Sequence, residues 1–131
     1  MREILFRAKT VDNIWHYGFP IVYSDGSFDF YELEDNPIVE TYNEIYKETK
    51  KGTLGQYTGI EDKNGTKIFE GDFIKAKHNT NLYSVYWNED RFYIEDVWGN
   101  LIKPTQTAIN HFECEIVGNI YDNPELIENN K

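Results

Sequence analysis

The chain has a single cysteine, Cys114, so no disulfide can form within it. Histidine is also scarce. His16, His78 and His111 are scattered, and with Cys114 they do not make the close-spaced pairs typical of a structural zinc site. Basic residues number 13 against 23 acidic ones, and the resulting net charge of -10 repels nucleic-acid phosphate. No apolar run approaches the ~20 residues needed to cross a bilayer. Arg2, Glu3, Arg7 and Lys9 occupy the stretch where a signal peptide would place its apolar region. These absences point to a cytoplasmic protein that does not enter a membrane. The glycines sit in turn sequences and do not cluster ahead of a helix, so no phosphate-cradling loop is present.

Aromatic residues are abundant, with 10 Tyr, 8 Phe and 3 Trp among 131 residues. Flat side chains suit a pleated, half-buried surface, so the composition favours strands. The length fits one domain, 1–131, large enough to hold a core without metal or disulfide. The fold is expected to be all-β: a twisted, partly open antiparallel β-barrel built from hairpins, with one or two short helices.

The clearest signal is Gln56 to Lys77. Asp62-Lys63-Asn64-Gly65 suits a type I turn with a left-handed fourth residue, followed by a bulge. That register sets Asp62 opposite Thr66, Glu61 opposite Lys67, Ile60 opposite Ile68 and Gly59 opposite Phe69. Gly71-Asp72 then bends the chain into a strand starting at Phe73. Upstream, Arg2–Lys9 and Ile14–Tyr17 read as strands around a turn at Asp12-Asn13, the second ending at Gly18 and Pro20. Asp25-Gly26 reads as a two-residue hairpin pairing Tyr23 with Phe28 and Ile21 with Phe30. Asn36-Pro37 followed by Ile38, Tyr42, Ile45 and Tyr46 predicts a helix over Asn36–Lys51, with a strand from Asn43 to Glu48 as the alternative. Further on, Tyr83, Val85 and Trp87 alternate on one strand, and Arg91–Trp98 returns. Gly99-Asn100 suits a two-residue turn pairing Trp98 with Leu101, Val97 with Ile102 and Asp96 with Lys103. A last strand is expected over His111–Tyr121, then a short helix capped at Asn123-Pro124.

Several chemistries compete for these residues. His111 and Cys114 stand three apart on an expected strand and so point to opposite faces, with Cys114 in the core. His16, between Trp15 and Tyr17, belongs on a strand surface. Glu61, Glu70 and Asp72 are the nearest approach to a hydrolytic carboxylate pair, but Glu61 has Lys67 to face and Asp72 has a turn role. An oligonucleotide-binding barrel would use Tyr57, Tyr83, Tyr86 and Tyr93 beside Lys75 and Lys77, against the net charge. No catalytic, cofactor-binding or metal-ligating residue is assigned, and no cofactor is expected.

The segments REILFRAK, WHYG at Trp15–Gly18, GQYTGIEDKNGTKIFEGDFI and EIVGNIYDNPELI occur in this order along the chain. Together they resemble the YopX family of bacteriophage and prophage proteins. The resemblance implies a small phage-type accessory protein of mostly β structure, and brings with it no established activity and no catalytic residues. A non-enzymatic protein-interaction module is therefore the preferred expectation. A single-stranded nucleic-acid binder and a small hydrolase are the alternatives. The partner would be a host or phage protein, or a second copy of the chain. Asp25 to Glu48 carries eight acids and one base, Lys47, so it would draw a basic partner through contacts that weaken with salt.

Overall fold

A computed structural model describes residues 4–34, 41–45, 49–50, 52–78, 81–89 and 91–130. Their backbone falls into two compact units, 1–56 and 57–131. Every described strand pairing is antiparallel, and no closed barrel forms among the described residues. The mainly β, hairpin-built fold matches the expectation.

In the first unit β1 (Phe6–Lys9), β2 (Trp15–Val22), β3 (Phe28–Glu34) and β4 (Thr41–Ile45) follow one another as a meander. On the other side of β1, Gly55 and Gln56 pair with Arg7 and Phe6 as the start of β5 (Gly55–Glu61). Gly18 and Pro20 do not end β2, as the sequence suggested; the strand runs through both. β1 reaches only as far as Phe6, opposite Gly18, so β2 has no β1 neighbour at Pro20, where the missing N–H goes unneeded. The helix expected over Asn36–Lys51 is corrected at its centre, where 41–45 is a strand. Glu34 pairs with Thr41 and Phe30 with Ile45, so the edge of β3 offers this backbone a ladder that outweighs a weak helical stripe. The expected helix cap at Asn36-Pro37 lies outside the described residues.

The second unit contains the rest of β5, β6 (Lys67–Phe69), β7 (Asp72–Lys75), β8 (Leu82–Asn88), β9 (Arg91–Asp96), β10 (Leu101–Ile102), α1 (Gln106–His111), β11 (Glu115–Asn119) and α2 (Glu125–Asn129). Five strands form a sheet in the order β10-β9-β8-β7-β11. Ile74, Tyr83, Val85, Ile94 and Ile116 share one face through their cross-strand pairings, and Ile60, Ile68, Ile109 and Cys114 pack on it. The expected strand His111–Tyr121 is shorter and starts later, because residues 106–111 are helical. Thr105 caps that helix by accepting from the Ala108 amide at 3.1 Å. α2 appears where expected, but Asn123 Oδ1 accepts from the Asn119 amide at 3.2 Å and does not cap it.

Four of the hairpins use one turn design. The amide of the fourth residue donates back to the first carbonyl, and the first amide donates to the carbonyl of the fifth residue. This holds for Thr10/Asn13/Ile14, Tyr23/Gly26/Ser27, Asp62/Gly65/Thr66 and Asp96/Gly99/Asn100. The fourth residue has positive φ in each case: 67°, 87°, 79° and 89°. Two registers therefore differ from expectation: Val22, not Tyr23, faces Phe28, a shift of one residue, and Glu95, not Trp98, faces Leu101, a shift of three. In the central hairpin Glu61 faces Lys67 as expected, but Tyr57, not Gly59, faces Phe69. Gly59 lies in a bulge at φ 85°. There the Thr58 hydroxyl replaces the ladder, donating to the Ile68 carbonyl at 2.8 Å and accepting from the Ile60 amide at 3.1 Å.

Candidate functional site

The residues weighed for chemistry do not come together. His16 lies in the first unit, its Nδ1 3.0 Å from Glu32 Oε2 and its Nε2 3.4 Å from Thr10 Oγ1. The order hydroxyl, imidazole, carboxylate looks like a relay. However, Thr10 is fully buried, and its hydroxyl also donates to Asp12 and to the Ile14 carbonyl. A nucleophile must reach substrate, so this network ties β2 to β3 and to the first turn. His78 is exposed, and His111 is exposed at the end of α1, where its ring edge meets Phe112. Cys114 is buried, as expected. Burial also pushes its thiol up from the ordinary range, so it stays protonated and unreactive. Among the described residues no three His, Cys, Asp or Glu side chains group to hold a metal.

The carboxylates have structural partners. Glu61 is exposed opposite Lys67. Asp72 is buried and accepts from the Phe69 amide at 2.7 Å. Asp62, also buried, accepts from the amides of Asn64, Thr66 and Ile116 at 2.9, 3.0 and 3.1 Å. It thereby fastens the central hairpin to β11. The aromatic and basic residues named for nucleic-acid stacking are dispersed. Tyr57 is buried against Phe69. Tyr83 is on the opposite sheet face from Lys75, while Tyr86 and Tyr93 stack at 6.1 Å next to Glu95, with burial and that carboxylate raising the Tyr86 hydroxyl. Lys75 faces Glu115 across the ladder, and Lys77 sits 3.5 Å from Glu113. Among the described residues, no stripe of lysines runs beside exposed rings.

Two other features stand out in the second unit. The hairpin of β9 and β10 exposes Trp98, Leu101 and Ile102 at 65%, 51% and 45%. Next to Ile102, helix α1 stands off the sheet and leaves a pocket of about 210 Å³, walled chiefly by Ile94, Ile102, Pro104, Ala108, Ile109 and Phe112. The lining residues with polar side chains are Lys103, Tyr83 and Cys114. The sequence reading missed this pocket because it missed α1. The signal was there: Thr105 is a capping residue, and Ala108, Ile109 and Phe112 recur at helical spacing.

The family model for YopX protein matches residues 6–128. The chain belongs to the YopX family. Among solved structures, this YopX-family chain is similar to protein EF1440 from Enterococcus faecalis, with 24% identity and a TM-score of 0.67 over 97% of this chain and 99% of that one. At that identity the likeness shows a shared fold and nothing more. Among curated proteins none matches. No helix among the described residues is long and apolar enough to cross a membrane.

Proposed function

We propose that this YopX-family chain is a non-enzymatic protein-interaction module, a cytoplasmic accessory protein of the phage or prophage type. The observation that carries the reading is the apolar hairpin of β9 and β10. Trp98, Leu101 and Ile102 lie within five residues, and each is close to half exposed or more. Exposed apolar groups gathered in this way mark contact surfaces, and tryptophan is the commonest anchor in them. Side chains make the contact, because β10 has only two residues and is followed by Lys103 and Pro104, which blunt its edge against strand addition.

The acidic stretch supports a charge-driven contact less well. Of its acids with described side chains, Asp25 accepts from Ser27, Asp29 from the Tyr23 hydroxyl, and Glu32 pairs with His16. An apolar contact should persist at high salt, whereas a charge-driven one weakens. The test is affinity capture from bacterial lysate after nuclease treatment, comparing the natural chain with Trp98→Ser, together with a single-stranded DNA titration. The expected result is a defined protein retained at high salt, with its affinity reduced about 30-fold by the substitution, the equivalent of a ~2 kcal/mol anchor. Retention unaffected by Trp98→Ser, or micromolar DNA binding with a steep salt slope, would overturn the reading in favour of another surface or of the nucleic-acid alternative.

A further inference from the structure

We infer that the pocket beside α1 binds a small amphipathic carboxylate, a hydrocarbon body of roughly eight carbons ending in one anionic group. The walls are apolar, from Ile94, Ile102, Pro104, Ala108, Ile109 and Phe112. A concave, mostly apolar recess with a few polar groups is the usual form of a small-molecule site, and this one has a volume of about 210 Å³. A cavity of ~150 Å³ holds benzene, so the volume here takes a body a few atoms larger. It falls below the ~300 Å³ of drug-sized sites, which excludes bulky ligands.

Charge decides the polar end. Lys103 is the only charged residue among the described lining, and no carboxylate stands there with it. Its ammonium is exposed and has no hydrogen bond or ion pair among the described residues. The lysines Lys63 and Lys77, by contrast, each have a glutamate. An unmatched cation over an apolar pocket selects an anion with an apolar tail, because it locally offsets the chain's net charge of -10. The Tyr83 hydroxyl, also without a partner among the described residues, supplies a second donor. The buried thiol of Cys114 is protonated and adds only apolar wall, so the ligand is held and not attacked.

The test is calorimetric titration of the full chain with octanoate, octanol and octylammonium. Octanoate should bind saturably and at least about tenfold more tightly than octylammonium. Lys103→Gln should weaken octanoate about tenfold and leave octanol unchanged, since the substitution removes the charge at an exposed position and spares the walls. Ala108→Met, which fills the pocket from a helical position that tolerates the residue, should abolish binding of both. Because Ala108→Met could unfold the unit, its melting curve is compared with that of the natural chain, and Lys103→Gln decides the matter by itself. Equal affinity for octanoate and octylammonium, octanoate binding untouched by Lys103→Gln, or no saturable binding up to about 10 mM would each overturn the site. The outcome is independent of Trp98→Ser, which lies outside the pocket lining.

Discussion

Replacing Gly18 by alanine provides a sharp test of the first unit. A glycine-to-alanine change ordinarily stabilises a protein by about 0.4–1 kcal/mol, because it restricts the unfolded chain. At Gly18 the folded state reverses that sign. An added Cβ would lie 1.9 Å from the Tyr31 carbonyl oxygen, 2.9 Å from its carbon and 3.1 Å from Glu32 Cα. All three are backbone atoms, so no side-chain rotation relieves the contact. β2 and β3 would have to part by more than 1 Å at a pair, Gly18 with Glu32, that is flanked by β1 through Phe6. Overpacking costs about 1–3 kcal/mol, and each ladder hydrogen bond lengthened beyond use adds about 1 kcal/mol. With the unfolded-state gain subtracted, the net destabilisation is about 3 kcal/mol. For a urea slope of ~2 kcal/mol per molar, that lowers the midpoint by about 1.5 M. Trp15, on β2, reports the transition by fluorescence. A midpoint unchanged or raised for Gly18→Ala would refute the close approach of the two strands.

Gly65 gives a contrasting case. It has φ 79° with nothing within 4 Å of an added Cβ, so Gly65→Val meets strain without collision. Its cost is about 1–3 kcal/mol by urea melt, and equal midpoints would refute the left-handed assignment. Asp96 gives a pH prediction. The Asn100 side chain, then the backbone amides of Asn100, Trp98 and Gly99, hold its carboxyl below the ordinary 3.8. With the folded value depressed, the unfolded state binds the proton more readily. The turn's contribution is therefore complete above about pH 4 and is lost as pH falls through the folded value. Acid titration followed by carboxyl NMR should show Asp96 protonating below 3.8, and an inflection at or above it would refute the turn's hold on the carboxylate.

Much of the fold was legible in the sequence because the turns carry their own chemistry. Asp62-Lys63-Asn64-Gly65 reads as a four-residue turn with a bulge, and its pairing of Glu61 with Lys67 is the one found. The same four-residue device, at Tyr23–Gly26 and Asp96–Gly99, reads in sequence as a two-residue loop, because the glycine and one neighbour alone suggest the shorter turn. That moves the first register by one residue and the second by three. Elsewhere long-range partners overrode local cues. The helical stripe at Tyr42 and Ile45 yielded to the open edge of β3, and the slip at Gly59 follows from the Thr58 hydroxyl bonding to Ile68, a contact that spacing does not announce. The pocket beside α1 depends on a helix of only six residues, so its capping threonine and brief helical spacing stand out little against the strand pattern that follows.

The position of β11 has a consequence for how the second unit is made. β7 enters the sheet between β8 and β11, so its ladder on one side is filled by the hairpin that follows it and on the other by residues about 45 positions downstream. During synthesis β8, β9 and β10 can pair as they emerge, while the β11 side of β7 waits. Asp62 waits with it, since its second carboxylate oxygen bonds to the Ile116 amide. For that interval the nascent unit presents an open strand edge built on Phe73 and Ile74, the kind of surface that pairs with another chain if nothing arrives. The last of these strands to be translated thus covers the β7 edge and takes its place as the edge strand of the sheet.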